Sequence, residues 1–373
     1  MSQRLLHTPE GVKDIYGKEY AQKLHAQKQM TDCIRLYGYE DVQTPTFEFF
    51  DVFSREIGTT PSKELYKFFD KEGNTLALRP DFTPSIARCA AKYFSEEKRP
   101  LRFSYIGNTF TNTSNLQGKL KEVTQLGAEL IGDPSVEADA EMICMVVRTL
   151  QSTGLKRFQV AIGDAEYFKG LCEEAGLDEE TELELRSFIS GKNYFGAQEL
   201  LAERRVEEPY QSRLLKVADM FGDMGSLRQA ASMAENARSL ESVKRLEKLS
   251  ALLKLYGVEE YVSFDLGMLS KYRYYTGMIF KAYTYGVGEA VVKGGRYDRL
   301  LQQFGKDAPA VGFVIVVDSI MEALSRQRVQ LPVHREIREI ICKREDYAQS
   351  LAQAQELRSQ GIPVVLLLQE DTE

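Results

Sequence analysis

Residues 102–132, RFSYIGNTFTNTSNLQGKLKEVTQLGAELIG, set two apolar runs on either side of a polar loop. Phe103, Tyr105, Ile106 and Phe110 make the first run and Val123 to Ile131 the second, while Asn112 to Gly118 is dense in turn formers; the stretch reads as a long hairpin. If Val123 to Ile131 is a strand, its side chains alternate between two faces. Leu126, Ala128 and Leu130 then form a greasy face, and Gln125, Gly127 and Glu129 set an amide, a gap and a carboxylate in a row on the other. That row has the pattern of a ligand floor. The same run also fits a helix with Gln125 and Glu129 one turn apart on a wet surface, and periodicity alone does not choose between the two.

The totals around this stretch narrow the classes of function. A chain of 373 residues, 43% hydrophobic and 28% charged, has room for two or three domains, each with its own core. No apolar run approaches the ~20 residues that span a bilayer. The opening MSQRLLHTPEGVKD lacks an uninterrupted apolar core of signal-peptide type, so a cytoplasmic, membrane-free protein is expected. The five cysteines (33, 89, 144, 172 and 342) are far apart and never in C-x-x-C spacing, and the three histidines lack partners nearby in sequence. Reduced thiols, no metal site and no histidine-based catalysis follow. A formal charge of −7 gives no general attraction to nucleic acid, although a local basic patch is compatible with it.

Upstream, a helical pattern from about Tyr20 to Tyr37 stops at Gly38, and GYEDVQTPTFEFFDVF is an extended run that Pro45 confines to an edge. Tyr66 to Asp70 and Thr75 to Leu78 flank a tight turn, and the second strand runs into LRPDFTPSIARCAA, with a helix starting near Ser85. Asp81 and Thr83 there read as loop and capping residues on their own terms. Downstream, a helix over about 134–152 precedes a buried strand at 158–162. Residues 166–257 are acidic, amphipathic and strand-poor, and read as an inserted helical domain with solvated charged faces. Strand signals resume at 261–266, followed by SKYRYYTGMIFKAYTYGVGEAVVKGGRYD. Its aromatics at 272, 274, 275, 280, 283 and 285 suit a half-buried sheet face, and Gly294 and Gly295 allow close backbone approach. A run at 310–319, AVGFVIVVDS, is one more strand. Residues 326–373 read as a polar linker and a single, incomplete βαβ unit.

Spelling adds what periodicity withholds. The segment 102–132 resembles motif 2 of the class II aminoacyl-tRNA synthetases, specifically the histidyl form, in which Tyr-Ile-Gly, Phe, Gly and Gln-x-Gly-x-Glu-x-x-Gly recur at these spacings. Tyr274-Tyr275-Thr276-Gly277 and Gly294 to Asp298 resemble the histidine-specific signature, the run through Pro45 resembles motif 1, and 310–319 resembles motif 3. The resemblance implies an α+β fold: a class II synthetase-like antiparallel sheet flanked by helices, formed from residues 1–165 and 258–325. It also implies an insertion over 166–257 and a partial C-terminal α/β unit over 326–373. By the same resemblance, Asp81, Thr83, Gln125 and Glu129 take the ammonium end of a bound histidine, Tyr274 and Tyr275 take its ring, and motif 1 builds a homodimer.

The departures from the family decide the function. Motif 2 carries an arginine on the α-phosphate of ATP and a glutamate two positions on, where this chain has Thr111 and Thr113; two loop arginines appear as Lys119 and Lys121. The signature's catalytic Arg-Gly-Leu-Asp aligns with Ser270, Lys271, Tyr272 and Arg273, and the Gly-Leu-Glu-Arg of motif 3 aligns with Val316, Val317, Asp318 and Ser319. A hydroxyl cannot fork onto a phosphate as a guanidinium does, and losing one such clamp costs roughly 10²- to 10³-fold in rate. Three losses around one site imply that ATP is not activated there.

Retained amino-acid residues with lost ATP residues resemble the synthetase paralogues that serve as non-catalytic regulatory subunits of ATP phosphoribosyltransferase. That resemblance implies assembly with the short-form catalytic phosphoribosyltransferase subunit of histidine biosynthesis, L-histidine as feedback effector, no tRNA and no cofactor on this chain. Two other readings remain: an active histidine-tRNA ligase with rearranged arginines, which would exchange pyrophosphate into ATP, and a synthetase-like module for tRNA or protein, which would not bind histidine.

Overall fold

A computed structural model describes residues 6–54, 60–113, 119–269, 274–332 and 337–369. The chain divides into two units, one of residues 1–15 and 23–330 and the other of residues 16–22 and 331–373. Strands in chain order are β1 (Glu40–Asp41), β2 (Phe47–Phe49), β3 (Lys67–Phe69), β4 (Thr75–Leu78), β5 (Leu101–Phe110), β6 (Glu122–Ile131), β7 (Phe158–Asp164), β8 (Phe221–Gly222), β9 (Val262–Asp265), β10 (Met278–Thr284), β11 (Val292–Arg296), β12 (Ala310–Val316), β13 (Arg338–Cys342) and β14 (Val364–Leu368). The helices are α1 (Gly17–Arg35), α2 (Asp51–Ser54), α3 (Thr83–Tyr93), α4 (Val136–Ser152), α5 (Ala165–Glu174), α6 (Glu179–Ser190), α7 (Tyr194–Glu203), α8 (Glu208–Lys216), α9 (Met224–Met233), α10 (Ala237–Leu255), α11 (Val317–Arg326) and α12 (Tyr347–Ser359).

The two runs of 102–132 are strands, β5 and β6, paired antiparallel from Leu101 opposite Ile131 to Phe110 opposite Glu122. Among the described residues they belong to a nine-stranded sheet in the order β1-β5-β6-β12-β11-β10-β7-β9-β8. Its centre is antiparallel, as expected. Two pairings differ: β1 runs parallel to β5 and β7 parallel to β9. A parallel pair needs a crossover of a dozen or more residues, and helices α5 to α10 supply one between β7 and β9. That strand-poor stretch also contributes β8, two residues that pair with β9 at the sheet's edge and are too short to leave a sequence signal.

Each face of the central strands has its own cover. Leu126, Ala128 and Leu130 are buried on the face toward α4 and α11. Helix α4 is capped by Ser135, whose hydroxyl accepts from the Ala138 amide, and is buried along most of its circumference, as its run of Met142, Ile143, Met145, Val146 and Val147 requires. The opposite face carries a second core, where Ile86 and Ala90 of α3 pack with Phe103, Tyr105, Tyr275 and Tyr297. The expected aromatic sheet face holds only in part. Phe280 is buried on β10, but Tyr283 is 42% exposed and Tyr285, past the strand end, is 67% exposed. Tyr274 and Tyr275 precede β10 rather than lying on it, and 272 lies outside the described residues.

Strands β2, β4 and β3 form a separate three-stranded sheet. In the second unit β13 and β14 pair in parallel, joined by α12, which ends at Gly361 with φ of 79°. Among the described residues no helix is long and apolar enough to cross a membrane.

Candidate functional site

Register puts the expected ligand floor where the hairpin reading had it. Glu129 on β6 lies opposite Phe103 on β5 and opposite Gly312 on β12, and Gly312 in turn lies opposite Gly295 on β11. Directly paired residues share a face, so this row runs Phe103, Glu129, Gly312, Gly295. The next row on the same face is Tyr105, Gly127, Val314, Lys293. Above these rows opens a cavity of about 210 Å³. Asp81, Thr83, Gln125, Glu129, Tyr274 and Tyr275 all line it, together with Tyr105, Lys293, Tyr297 and the glycines 294, 295 and 312.

Glu129, 1% exposed, is the best-supported group in the cavity. Its Oε1 accepts from Thr83 Oγ1 at 2.9 Å and from the Tyr105 hydroxyl at 3.3 Å, and its Oε2 accepts from the Tyr297 hydroxyl. Burial pushes its carboxyl up to about 7 against the pull of these hydroxyls. The side chain fits only because Gly312 faces it: a Cβ there would sit 1.6 Å from Oε2. Gly127 gives the same relief to Tyr105, whose hydroxyl lies 2.4 Å from where its Cβ would be. Tyr105 is held from behind by Phe82, stacked on it with centroids 4.4 Å apart, and the Arg79 guanidinium lies 4.1 Å over Phe82. Arg79 spends its donors on the carbonyls of Thr44, Pro45 and Asn108, so the arginine of the Arg-Pro-Asp run is a brace for the cavity wall.

Asp81 is the opposite case. Both of its oxygens are shut off from solvent without a hydrogen bond of good geometry among the described residues. Burial first, and then the neighbouring Glu129 charge, push this carboxyl up to about 7, with the Thr83 amide pulling the other way. Gln125 Oε1 is likewise buried and unsatisfied. Leaving such acceptors open costs about 1–3 kcal/mol each, more when charged, which a donor-rich guest would recover.

The remaining wall is aromatic. Tyr274 and Tyr275 lie 4.3 Å apart between centroids, and Tyr274 meets Tyr297 edge-on at 6.2 Å. Gly295 makes room for them, since a Cβ there would lie 2.6 Å from the Tyr275 ring. Tyr297 is delivered by its neighbours in the Gly-Gly-Arg-Tyr-Asp run. Arg296, 3% exposed, bonds Asp139 at 2.9 Å through Nε, while Asp298 receives the Ala310 amide at 3.2 Å. The sequence reading named neither Tyr297, Tyr105, Gly312 nor Lys293 as part of the site. Tyr297 is within reach of the sequence, since it belongs to the Gly-Gly-Arg-Tyr-Asp run; Gly312 and Lys293 gain their meaning only from cross-strand register.

The positions expected to have lost their phosphate contacts carry other duties. The Thr111 amide donates to the Lys121 carbonyl at 2.9 Å, the Lys121 amide donates to the Gly11 carbonyl at 2.7 Å, and Lys119 pairs with Glu289 at 2.9 Å. Asp318 accepts from Lys23 Nζ at 2.8 Å and from the Thr124 amide at 2.6 Å. Residues 114–118 and the signature positions Ser270, Lys271, Tyr272 and Arg273 lie outside the described residues. Among the described residues the cavity lining contains one lysine and no arginine. No group of three His, Cys, Asp or Glu side chains that could hold a metal is found among them either.

The fold has close counterparts. Residues 11–320 match the family model described as histidyl-tRNA synthetase. The ATP phosphoribosyltransferase regulatory subunit of Acetivibrio thermocellus is 40% identical over 365 residues, covering 98% of this chain and 87% of that protein. A crystal structure from Bacillus halodurans, titled as an ATP phosphoribosyltransferase regulatory subunit/histidyl-tRNA synthetase, superposes with a TM-score of 0.89 at 33% identity, covering 98% of this chain and 93% of the other. Histidyl-tRNA synthetase from Nostoc sp. PCC 7120, at 18% identity and a TM-score of 0.81, shares the fold over 98% of this chain and 87% of its own. With the scaffold, the motif order and nearly full-length relatives agreeing, the chain belongs to the ATP phosphoribosyltransferase regulatory subunits, which are built on the histidyl-tRNA synthetase fold.

Proposed function

We propose that this chain regulates ATP phosphoribosyltransferase by binding L-histidine in the cavity over β6, β11 and β12, and that catalysis resides on a partner subunit. The observation that carries the histidine assignment is Asp81: a buried carboxylate with two open oxygens, beside a saturated Glu129, is a seat for an ammonium group. In this reading Asp81, Thr83, Gln125 and Glu129 take the ammonium end, and the ring lies against Tyr274 and Tyr275. The threonines at 111 and 113 and the serine at 319 replace the family's charged ATP contacts, so the scaffold recognises an amino acid without adenylating it. An effector shifts an equilibrium only through different affinity for two states, and an inherited pocket supplies a ready place for that difference. The first step of histidine biosynthesis would thereby depend on this chain and be inhibited by its end product, in the cytoplasm and without tRNA.

The reading includes a homodimer through the motif 1 region. Phe47, Phe49 and Phe68 are 51%, 58% and 36% exposed, and register puts them with Leu76 and Leu78 on one face of the small sheet. An apolar face of this kind on a soluble chain is a contact surface. It also takes 1–165 and 258–325 as one core, 166–257 as an insertion and 326–373 as a separate C-terminal part. Titration calorimetry with L-histidine tests the cavity: binding by the native chain and its loss in Asp81→Asn are expected. Histidine-dependent exchange of pyrophosphate into ATP would refute the non-catalytic reading.

A further inference from the structure

The amino-acid reading leaves the ligand's carboxylate without a partner, because the signature arginine aligns with Ser270, and that position lies outside the described residues. The sheet supplies a different cation. Lys293 on β11 lines the cavity two residues from Gly295 and therefore on the same face as the Glu129 row. Directly opposite it on β10 stands Lys281. Lys281 feels Asp265, whose carboxyl it pulls down against burial. Lys293 makes no ion pair among the described residues; it acts on Glu289 only at longer range, and Glu289 is bonded to Lys119. Between Lys293 and Tyr105 the row holds only Val314 and Gly127, with the Tyr105 hydroxyl lying over Gly127 toward Glu129. Acidic acceptors at one end and an ammonium group at the other form the complement of a zwitterion.

We propose that Lys293, with Lys281 reinforcing its field, binds the carboxylate of the amino acid held in this cavity. The assignment rests on the amino-acid reading of the cavity and adds to it the group that discriminates a free acid from an amine. A charge-assisted bond of this kind is replaced by nothing when the ligand lacks its carboxylate.

The test measures calorimetric affinities of the full chain for L-histidine and for L-histidinol, which keeps ring and ammonium but carries a hydroxymethyl in place of the carboxylate. Native protein is expected to prefer L-histidine. Lys293→Met should weaken L-histidine by about 10- to 100-fold and leave L-histidinol unchanged, removing the preference, and Lys293→Arg should restore most of it. Full L-histidine affinity in Lys293→Met, or equal losses for both ligands, overturns the Lys293 assignment while the cavity reading stands. Native protein that binds neither ligand overturns the cavity reading, and the Lys293 assignment falls with it.

Discussion

Asp81 and Glu129 share one cavity, and each sits near 7 because burial penalises its charged form. An ordinary carboxyl titrates near about 4. Raised folded values mean that the empty fold prefers the protonated pair, so this contribution to stability is complete below about pH 4 and is lost as pH rises through about 7. The groups facing the pair are the hydroxyls of Thr83, Tyr105 and Tyr297, with Lys293 as the cation of the lining. Asp81→Asn should flatten the fall in thermal midpoint between about pH 4 and pH 7 in ligand-free protein. An unchanged slope would show that Asp81 ionises freely. The same linkage makes an ammonium ligand expel protons: calorimetry near neutral pH in two buffers of different ionisation heat should report net release on histidine binding, and no proton exchange would contradict it. Gly312→Ala puts a Cβ 1.6 Å from Glu129 Oε2, so Glu129 must leave its three hydroxyls. The expected cost is about 2–3 kcal/mol in denaturant unfolding, with at least a tenfold loss of histidine affinity.

Strands β5 and β6 were legible from turn chemistry and motif spelling, since the alternation of the β6 run also fitted a helix, and the six side chains expected to gather at one place do line one cavity. What escaped the sequence is the register of β12 and β11 against β6. Gly312 lies opposite Glu129 across 183 positions of chain, and no local pattern records that pairing. Lys293 lacks a sequence signal for the same reason, as one of two basic residues in a short glycine-containing strand. The parallel pairing of β7 with β9 was hidden by the helices that make it possible. Asp318, noted in the sequence only as the motif 3 position beside the serine that replaces the family's arginine, ties α1 to β6 and α11 through Lys23 and the Thr124 amide, with both side chains near 10% exposed. Asp318→Asn removes the charge that both donors face and should cost about 2–4 kcal/mol in denaturant unfolding. A change below about 0.5 kcal/mol would show that the contact is dispensable.

The assembled protein is expected to bury the apolar face of the small sheet against a second copy and to act on a separate catalytic chain. Phe49→Glu places a charge within the exposed Phe47, Phe49 and Phe68 group and should shift sedimentation from dimer to monomer; an unchanged dimer would place the contact elsewhere. The account as a whole turns on whether an amino-acid pocket without ATP chemistry controls another subunit's reaction. The most direct measurement follows phosphoribosyl transfer to ATP by the short-form catalytic subunit alone, with this chain, and with this chain plus L-histidine. The prediction is little activity alone, activation when this chain joins, and histidine inhibition that Asp81→Asn abolishes. Transfer that proceeds equally with and without this chain, unaffected by histidine, would contradict it.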